Sequence, residues 1–523
     1  MVTGNIIQPA KFDFTLLQRR ILQLTIISLP FINFPIKFPL VGNDISSLFL
    51  FLGYSVFLFE SIVRPIRLSK FEKYSLFFLS IYFVWYLITG FIGIETYPYY
   101  HLLDVVKDDK LSVLFFNLSQ YGNIDSLALT KGWLTFLVVR SSILNLLFTY
   151  AVTMWIYHLY RADFEQAFGD IYGSIKVLCI FIGAYSVIEV GYLFGSYTCK
   201  AILVSINPLF MKIALAHGWW PPLLWTNLQV RSLFAEPSYF GMFLAMALPL
   251  LANAFFSNIN RKKYANKFYV LLYVFMVMLL VMSKARTAIA LFSGEIMLII
   301  LWQFVIRRAV WRPFLRFFGC TILAVVFGML CTFQFHSIDD KVHIENNNTV
   351  QSYVSQNVTS IVGNRRSNNA RMANTMAMTK VGLNNPLFGV GQILVDEYVA
   401  DQFTGADLNN SEVRLWTRVL KEKGALKGGG YPILNQLAGV LARQGLIGLF
   451  IFVFPIGFII KSVISSKKVI KDFRSFSLLV AFCGLVMAFF SNAAQLGYYV
   501  LCGLLLCLIS SKYTLKDKEN DCK

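Results

Sequence analysis

The residues of this chain best suited to chemistry are arginines and one glutamate that stand at the ends of apolar runs. Arg231 and Glu236 lie five residues apart in RSLFAEPSYFG, and Pro237 then opens a nearly uncharged run to Ser257. Ser283, Lys284 and Arg286 form a second group in SKAR, and Arg365, Arg366 and Arg371 a third. Planar guanidinium groups grip phosphate oxygens in pairs and stay ionised at any working pH. A single carboxylate among them can take a proton from an attacking hydroxyl. The set therefore reads as an anion cradle around one base, Glu236, with Ser238 and Lys284 as further pocket residues.

Each member also has a plainer role. A carboxylate ahead of a proline suits a helix N-terminus, so Glu236 is equally well placed as an N-cap. Lys284 and Arg286 at a span end can snorkel to lipid headgroups, and Arg365 and Arg366 in a polar loop can simply be solvated. His336 and His343 offer alternative bases, of which His343 is the one retained, although neither has a recognisable partner in the sequence. Asp339, Asp340 and Glu345 do not follow the spacing of a calcium loop and read as a solvated acidic turn. There is no phosphate-binding loop, dinucleotide fingerprint or nucleophile elbow. Six of the eight cysteines (Cys179, Cys320, Cys331, Cys483, Cys502 and Cys507) lie in apolar runs. None has metal-ligand spacing, so neither a metal nor a cofactor is expected.

The elements that must position these groups are membrane helices. The chain is 57% hydrophobic and 14% charged, with 49 Phe among 523 residues, which excludes an ordinary soluble domain. Its net charge of +19 falls in short links between apolar runs, which points to cytoplasmic loops and away from nucleic acid. Apolar runs near 20–39, 46–63, 74–95, 132–158, 173–196, 237–256, 268–283, 287–306, 315–335, 436–460, 475–491 and 496–510 predict about twelve spans, within a range of ten to fourteen. Basic clusters such as Arg64–Lys73, Arg261–Lys267 and Lys461–Arg474 occupy alternate links, which puts both termini in the cytoplasm. Three longer connections, 96–131, 197–236 and 336–435, then face the other side. The expected organisation is a bundle over 1–335, a large extracytoplasmic loop over 336–435 with short helices of its own, and a closing bundle with a cytoplasmic tail over 436–523. Within the loop a helix is expected from Asn369 to Gly382, with Met372 and Met376 paired at i, i+4, and another over 411–423. The same sidedness brings the Arg231, Arg286 and Arg371 groups to one external level.

The order of these motifs resembles a known family. Arg231 with AEPSYFG, the SKAR turn ending in Arg286, then NNPLFGVG and NQLAGVLARQGLIGLF around a large loop are similar to the Wzy-type O-antigen and capsule polymerases and the related O-antigen ligases. These are polytopic all-α membrane glycosyltransferases of the GT-C type, and the resemblance covers roughly 225–460. It implies transfer of a glycan between undecaprenyl-diphosphate carriers at the outer face of the bacterial cytoplasmic membrane, without nucleotide sugar or metal. A chain-length regulator and a flippase of the same pathway are the implied protein partners. Carried onto this chain, Arg231 and Arg286 hold the diphosphate, Glu236 orients or deprotonates the acceptor, and Arg365, Arg366 or Arg371 completes the pocket. The ligases place a His-Asn pair before the final GLIGL-like span. Here those positions are Leu434 and Asn435, which favours a polymerase and leaves Asn435 as a pocket residue. A ligase that moves finished glycan to another acceptor is the nearest alternative. A lipid-linked oligosaccharide flippase is the alternative of another class, disfavoured because the charges gather at one face and not near mid-membrane.

Overall fold

The computed structural model describes residues 13–521 except 40, 66, 104, 106–111, 213–227, 257–262, 308–310, 337–352, 354–365, 425 and 427–429. Among the described residues there is no strand, only helices and one isolated bridge between Phe38 and Gly42. Eight helices are long and apolar enough to cross a membrane: Ile45–Val63, Lys70–Glu95, Ser126–Tyr160, Phe164–Leu193, Pro237–Phe256, Arg286–Arg307, Trp311–Phe333 and Gln436–Ile464. Three shorter apolar helices, Lys267–Met282, Phe473–Ala488 and Leu496–Ser511, complete the bundle. This is the architecture of a polytopic membrane protein.

The expected first span, 20–39, takes a different form. Its helix is Phe14–Ile27, capped by the Asp13 carboxylate and only 14 residues long. At 1.5 Å per residue it reaches about 21 Å, short of a hydrocarbon core about 30 Å thick. Pro30, Pro35 and Pro39 cannot continue a helix, so the remainder of the run becomes turns.

The Pro237–Phe256 helix is the centre of the bundle, with 89% of its span buried inside the protein, against 22% for Ile45–Val63 and 33% for Lys70–Glu95. It packs on Arg286–Trp302, Phe473–Ala488 and Lys263–Met282. A helix apolar all round is stable only where other helices or lipid surround it. Here other helices do, so the residues at its mouth are set by protein packing.

Beyond the membrane helices, Arg366–Asn384 lies against Gln436–Ile464 and carries Val395–Ala400, Gly405–Leu408 and Ser411–Lys423 on its flank. The helix expected from Asn369 is present and starts three residues earlier. Ser411–Lys423 matches the second expectation, held by an Asn410 cap. Met372 and Met376 are both exposed on the Arg366–Asn384 helix.

The NNPLFGVG segment has a structural task. Helix Gln436–Ile464 breaks at Gly445, whose φ of 67° and ψ of −168° are open to glycine alone. A break frees backbone groups that must find other partners. Leu446 N–H donates to the Pro386 carbonyl (2.7 Å), while Val390 and Gly391 N–H donate to the Ala442 and Arg443 carbonyls (2.9 and 3.1 Å). The Trp85 indole takes the Gln444 carbonyl at 3.2 Å. A helix, a loop and a neighbouring span are thereby fastened at one point.

Candidate active site

Two turns at the same end of the bundle bring the first two charged groups together. Val230 N–H donates to the Met282 carbonyl at 3.2 Å, and the Gln229 amide to the Lys284 carbonyl at 3.3 Å. Both turns are tight, with positive φ at Ser232 (53°) and Lys284 (49°).

Arg231 is 3% exposed. Its turn is held by Glu189 of the preceding span, whose two carboxylate oxygens accept the N–H groups of Arg231 (3.1 Å) and Ser232 (2.8 Å). The guanidinium donates from Nη1 to the Phe234 carbonyl (3.3 Å) and lies 3.2 Å from the Met211 sulfur. Its Nε and Nη2 are buried and have no hydrogen-bond partner among the described residues. Unpaired charged donors in so dry a place are costly, and oxygen atoms of a ligand would satisfy them.

Arg286 opens its helix and reaches outward to the loop, donating to Asn368 Oδ1 (2.8 Å) and Ser367 Oγ (2.7 Å). It thus joins the membrane end of the site to the start of the Arg366–Asn384 helix. Lys284, half-buried beside it, is pulled down to about 8 by burial. It therefore changes charge close to physiological pH.

Glu236 occupies the N-cap position before Pro237 but makes no capping hydrogen bond with its side chain. Its carboxylate accepts instead from the Ser238 hydroxyl at 3.1 Å. Burial pushes the carboxyl above the ordinary range, and Ser238 and the Arg371 charge oppose that rise. Arg371 has Glu236, Glu412 and Tyr239 as its electrostatic neighbours and is lowered from arginine's usual value by burial. Its Nη1 donates to the Ser491 carbonyl at 2.6 Å. A cavity of about 400 Å³ is lined by Phe234, Tyr239, Met242, Asp44, Asn145 and Gln495 among others, of which Tyr239 is an electrostatic neighbour of both Glu236 and Arg371.

Arg366, Asn435 and His336 have partners of their own. Arg366 is exposed and pairs with Glu412 at 3.2 Å, a carboxylate that is also an electrostatic neighbour of Arg371. Asn435 is the N-cap of Gln436–Ile464, its Oδ1 accepting from Ala438 N–H at 3.1 Å. His336 is exposed, with Nδ1 3.0 Å from the Gln334 carbonyl of its own turn. His343, Arg365 and the acidic group Asp339, Asp340 and Glu345 lie outside the described residues. Among the described residues no three His, Cys, Asp or Glu side chains gather to hold a metal ion.

Sequence reading passed over Glu189 and Arg443. The signal was present, since each is a charge in an otherwise apolar run, and such charges face cavities or partners more than lipid.

Residues 271–453 match a family model described as Wzy_C, O-antigen ligase. Over these residues the chain is similar to that family, and the likeness supports a membrane enzyme of glycan processing without separating ligase from polymerase. It contains Lys284, Arg286, Arg371 and Asn435, whereas Arg231 and Glu236 precede it. No curated protein matches the chain significantly.

Proposed function

We propose that the chain is a polysaccharide polymerase of the bacterial cytoplasmic membrane. It transfers a growing glycan from undecaprenyl diphosphate to a lipid-linked repeat unit at the outer face, with both termini in the cytoplasm, a GT-C-type bundle over 1–335 and 436–523, and a lid over 336–435. The observation that carries this reading is the convergence of the Arg231 and Lys284–Arg286 turns at one bundle end, with unpaired guanidinium donors on Arg231.

In this reaction the acceptor hydroxyl oxygen attacks the anomeric carbon of the donor. The bond from that carbon to the diphosphate oxygen breaks, and its electron pair leaves with the lipid diphosphate. Arg231, Lys284, Arg286 and Arg371 meet the charge that grows on the leaving oxygens, which fixed cations in a water-poor site stabilise strongly. The hydroxyl proton passes to Glu236. A carboxylate raised by burial is a better base than a solvated one, and the Arg371 charge keeps it ionised.

The ligase reading is favoured by the printed description of the matching family. Against it, Leu434 stands where the ligases carry histidine, and the Asn435 side chain is taken up by a helix cap. Deleting the gene distinguishes the readings. Single repeat units on the normal acceptor mark a polymerase, long chains left on the lipid carrier mark a ligase, and lipid-linked units trapped at the cytoplasmic face mark a transporter. In the complemented strain, Arg286→Ala and Glu236→Ala should abolish elongation while the protein still reaches the membrane. Full elongation in both would refute the site.

A further inference from the structure

Arg443 stands inside the Gln436–Ile464 span, two residues before its break at Gly445. A guanidinium within a membrane bundle is expensive and is retained where it faces a cavity or a partner. Arg443 lines a cavity of about 160 Å³, together with Tyr82, Tyr86, Asn145, Thr149, Gln436 and Tyr499 among others. Its Nε is buried and has no hydrogen-bond partner among the described residues. Asp396 and Tyr86 are its electrostatic neighbours. The hydrogen bonds around the Gly445 break form a brace that fixes its backbone, since the Arg443 carbonyl accepts from Gly391 N–H at 3.1 Å.

This cavity adjoins the larger one. Asn145, Thr149, Ala494 and Tyr499 line both, and Arg371 holds the Ser491 carbonyl three residues before Ala494. Tyr239, an electrostatic neighbour of Glu236 and Arg371, lines the larger one.

The wall chemistry identifies the occupant. Phenols and amides stand beside ring faces, the surroundings that suit the hydroxyls and apolar faces of a sugar. Part of this polar lining is already engaged: the Tyr82 hydroxyl donates to Asn145 Oδ1, the Thr149 hydroxyl to the Asn145 carbonyl, and Gln436 Oε1 accepts from Ala494 N–H. A lone guanidinium adds a planar fork that fits one carboxylate. A diphosphate calls for several cations, and those are clustered at the mouth around Arg231 and Arg286. The small volume likewise suits a single sugar ring.

We infer that the Arg443 cavity is a subsite for an acidic sugar of the glycan, with the sugar carboxylate on the Arg443 guanidinium and ring hydroxyls on Tyr86, Asn145 and Gln436. The inference rests on the glycan-transfer reading and specifies its substrate class.

Saturation-transfer NMR on the purified full-length protein in detergent tests it, with glucuronate, glucose and inorganic pyrophosphate as probes. Glucuronate should bind at least tenfold more tightly than glucose. That preference should vanish in Arg443→Gln, weaken in Asn145→Ala on a separate helix, and persist in Arg371→Gln. Pyrophosphate should behave in the opposite way, surviving Arg443→Gln and weakening in Arg371→Gln and Arg286→Gln. Equal binding of glucose and glucuronate, or a glucuronate preference that survives both Arg443→Gln and Asn145→Ala, overturns the subsite. So does pyrophosphate binding that depends on Arg443, which would make the cavity a phosphate site. Pyrophosphate binding indifferent to Arg371 and Arg286, with the glucuronate preference intact, would count against the transfer reading and leave the subsite standing.

Discussion

Replacing Glu189 tests whether Arg231 is held for chemistry. The two Glu189 oxygens accept the Arg231 and Ser232 N–H groups at 3.1 and 2.8 Å, in a position 3% exposed. A hydrogen bond to a charged group contributes about 1.5–3 kcal/mol, and a buried N–H left without its partner costs about 1–3 kcal/mol. Glu189→Ala leaves both N–H groups without their acceptor, so a loss of about 2–6 kcal/mol is expected and folding itself is at risk. Glu189→Gln is the sharper experiment. Its amide oxygen can still accept one N–H, while its amide nitrogen turns donors toward the other, leaving one buried N–H unpaired at about 1–3 kcal/mol. The bundle should remain folded with a lowered Tm in detergent. The Arg231 turn should loosen, and a displacement near 1 Å of a positioning group costs about 10²-fold in rate. The assay is the length of surface glycan in a deletion strain complemented with Glu189→Gln, read on a gel against membrane-fraction protein level. Short or absent ladders at normal protein level are expected. A lowered Tm with ladders of wild-type length would show that Glu189 serves the fold alone, and an unchanged Tm would refute the energetic reasoning as well.

Glu236→Gln should lower the transfer rate by about 10²–10⁴-fold, measured with lipid-linked substrate in proteoliposomes. Only the ionised carboxylate accepts a proton, so the wild-type rate falls as pH drops through the raised Glu236 value; Arg371→Gln removes an opposing charge and should move that acid limb to higher pH. Lys284 holds diphosphate only as a cation, so the rate should fall again as pH rises through about 8, and Lys284→Arg should move this alkaline limb out of the measured range. At Gly445, a methyl group would run into the Leu387 carbonyl at a φ of 67°, so Gly445→Ala should cost about 1–3 kcal/mol in strain before the clash is counted, and should reduce the monodisperse fraction on size-exclusion chromatography.

The class of fold and the level of the charged turns were legible because both follow from one-dimensional patterns. Length and apolarity mark spans, and proline with a neighbouring charge marks where a span begins, as at Glu236–Pro237. Side-chain direction does not follow from such patterns. Arg366 and Arg371 looked equivalent in the sequence, yet five residues on a helix turn a side chain by about 140°, so the two cannot face the same way. Arg371 is half-buried with Glu236, Glu412 and Tyr239 around it, whereas Arg366 is exposed and pairs with Glu412. The first apolar run was overcounted for a related reason, since hydropathy ignores the three prolines that end its helix at Ile27.

NNPLFGVG and ARQGLIG were read as marks of a catalytic family, and their visible work is mechanical. Glycines with positive φ at 389, 391 and 445 let a loop and a broken helix approach backbone to backbone, and four hydrogen bonds close the gap. That arrangement has a consequence for chemistry. Arg443 and Arg371 lie on either side of the brace, because Arg366–Asn384 leads directly into NNPLFGVG and Gln436–Ile464 carries the break it fastens. A weakened brace should therefore disturb both cations together, and Gly445→Ala protein that does fold should lose pyrophosphate and glucuronate binding in parallel. Loss of one with full retention of the other would mean that the two positions are set independently, with the brace serving only to close the helix break.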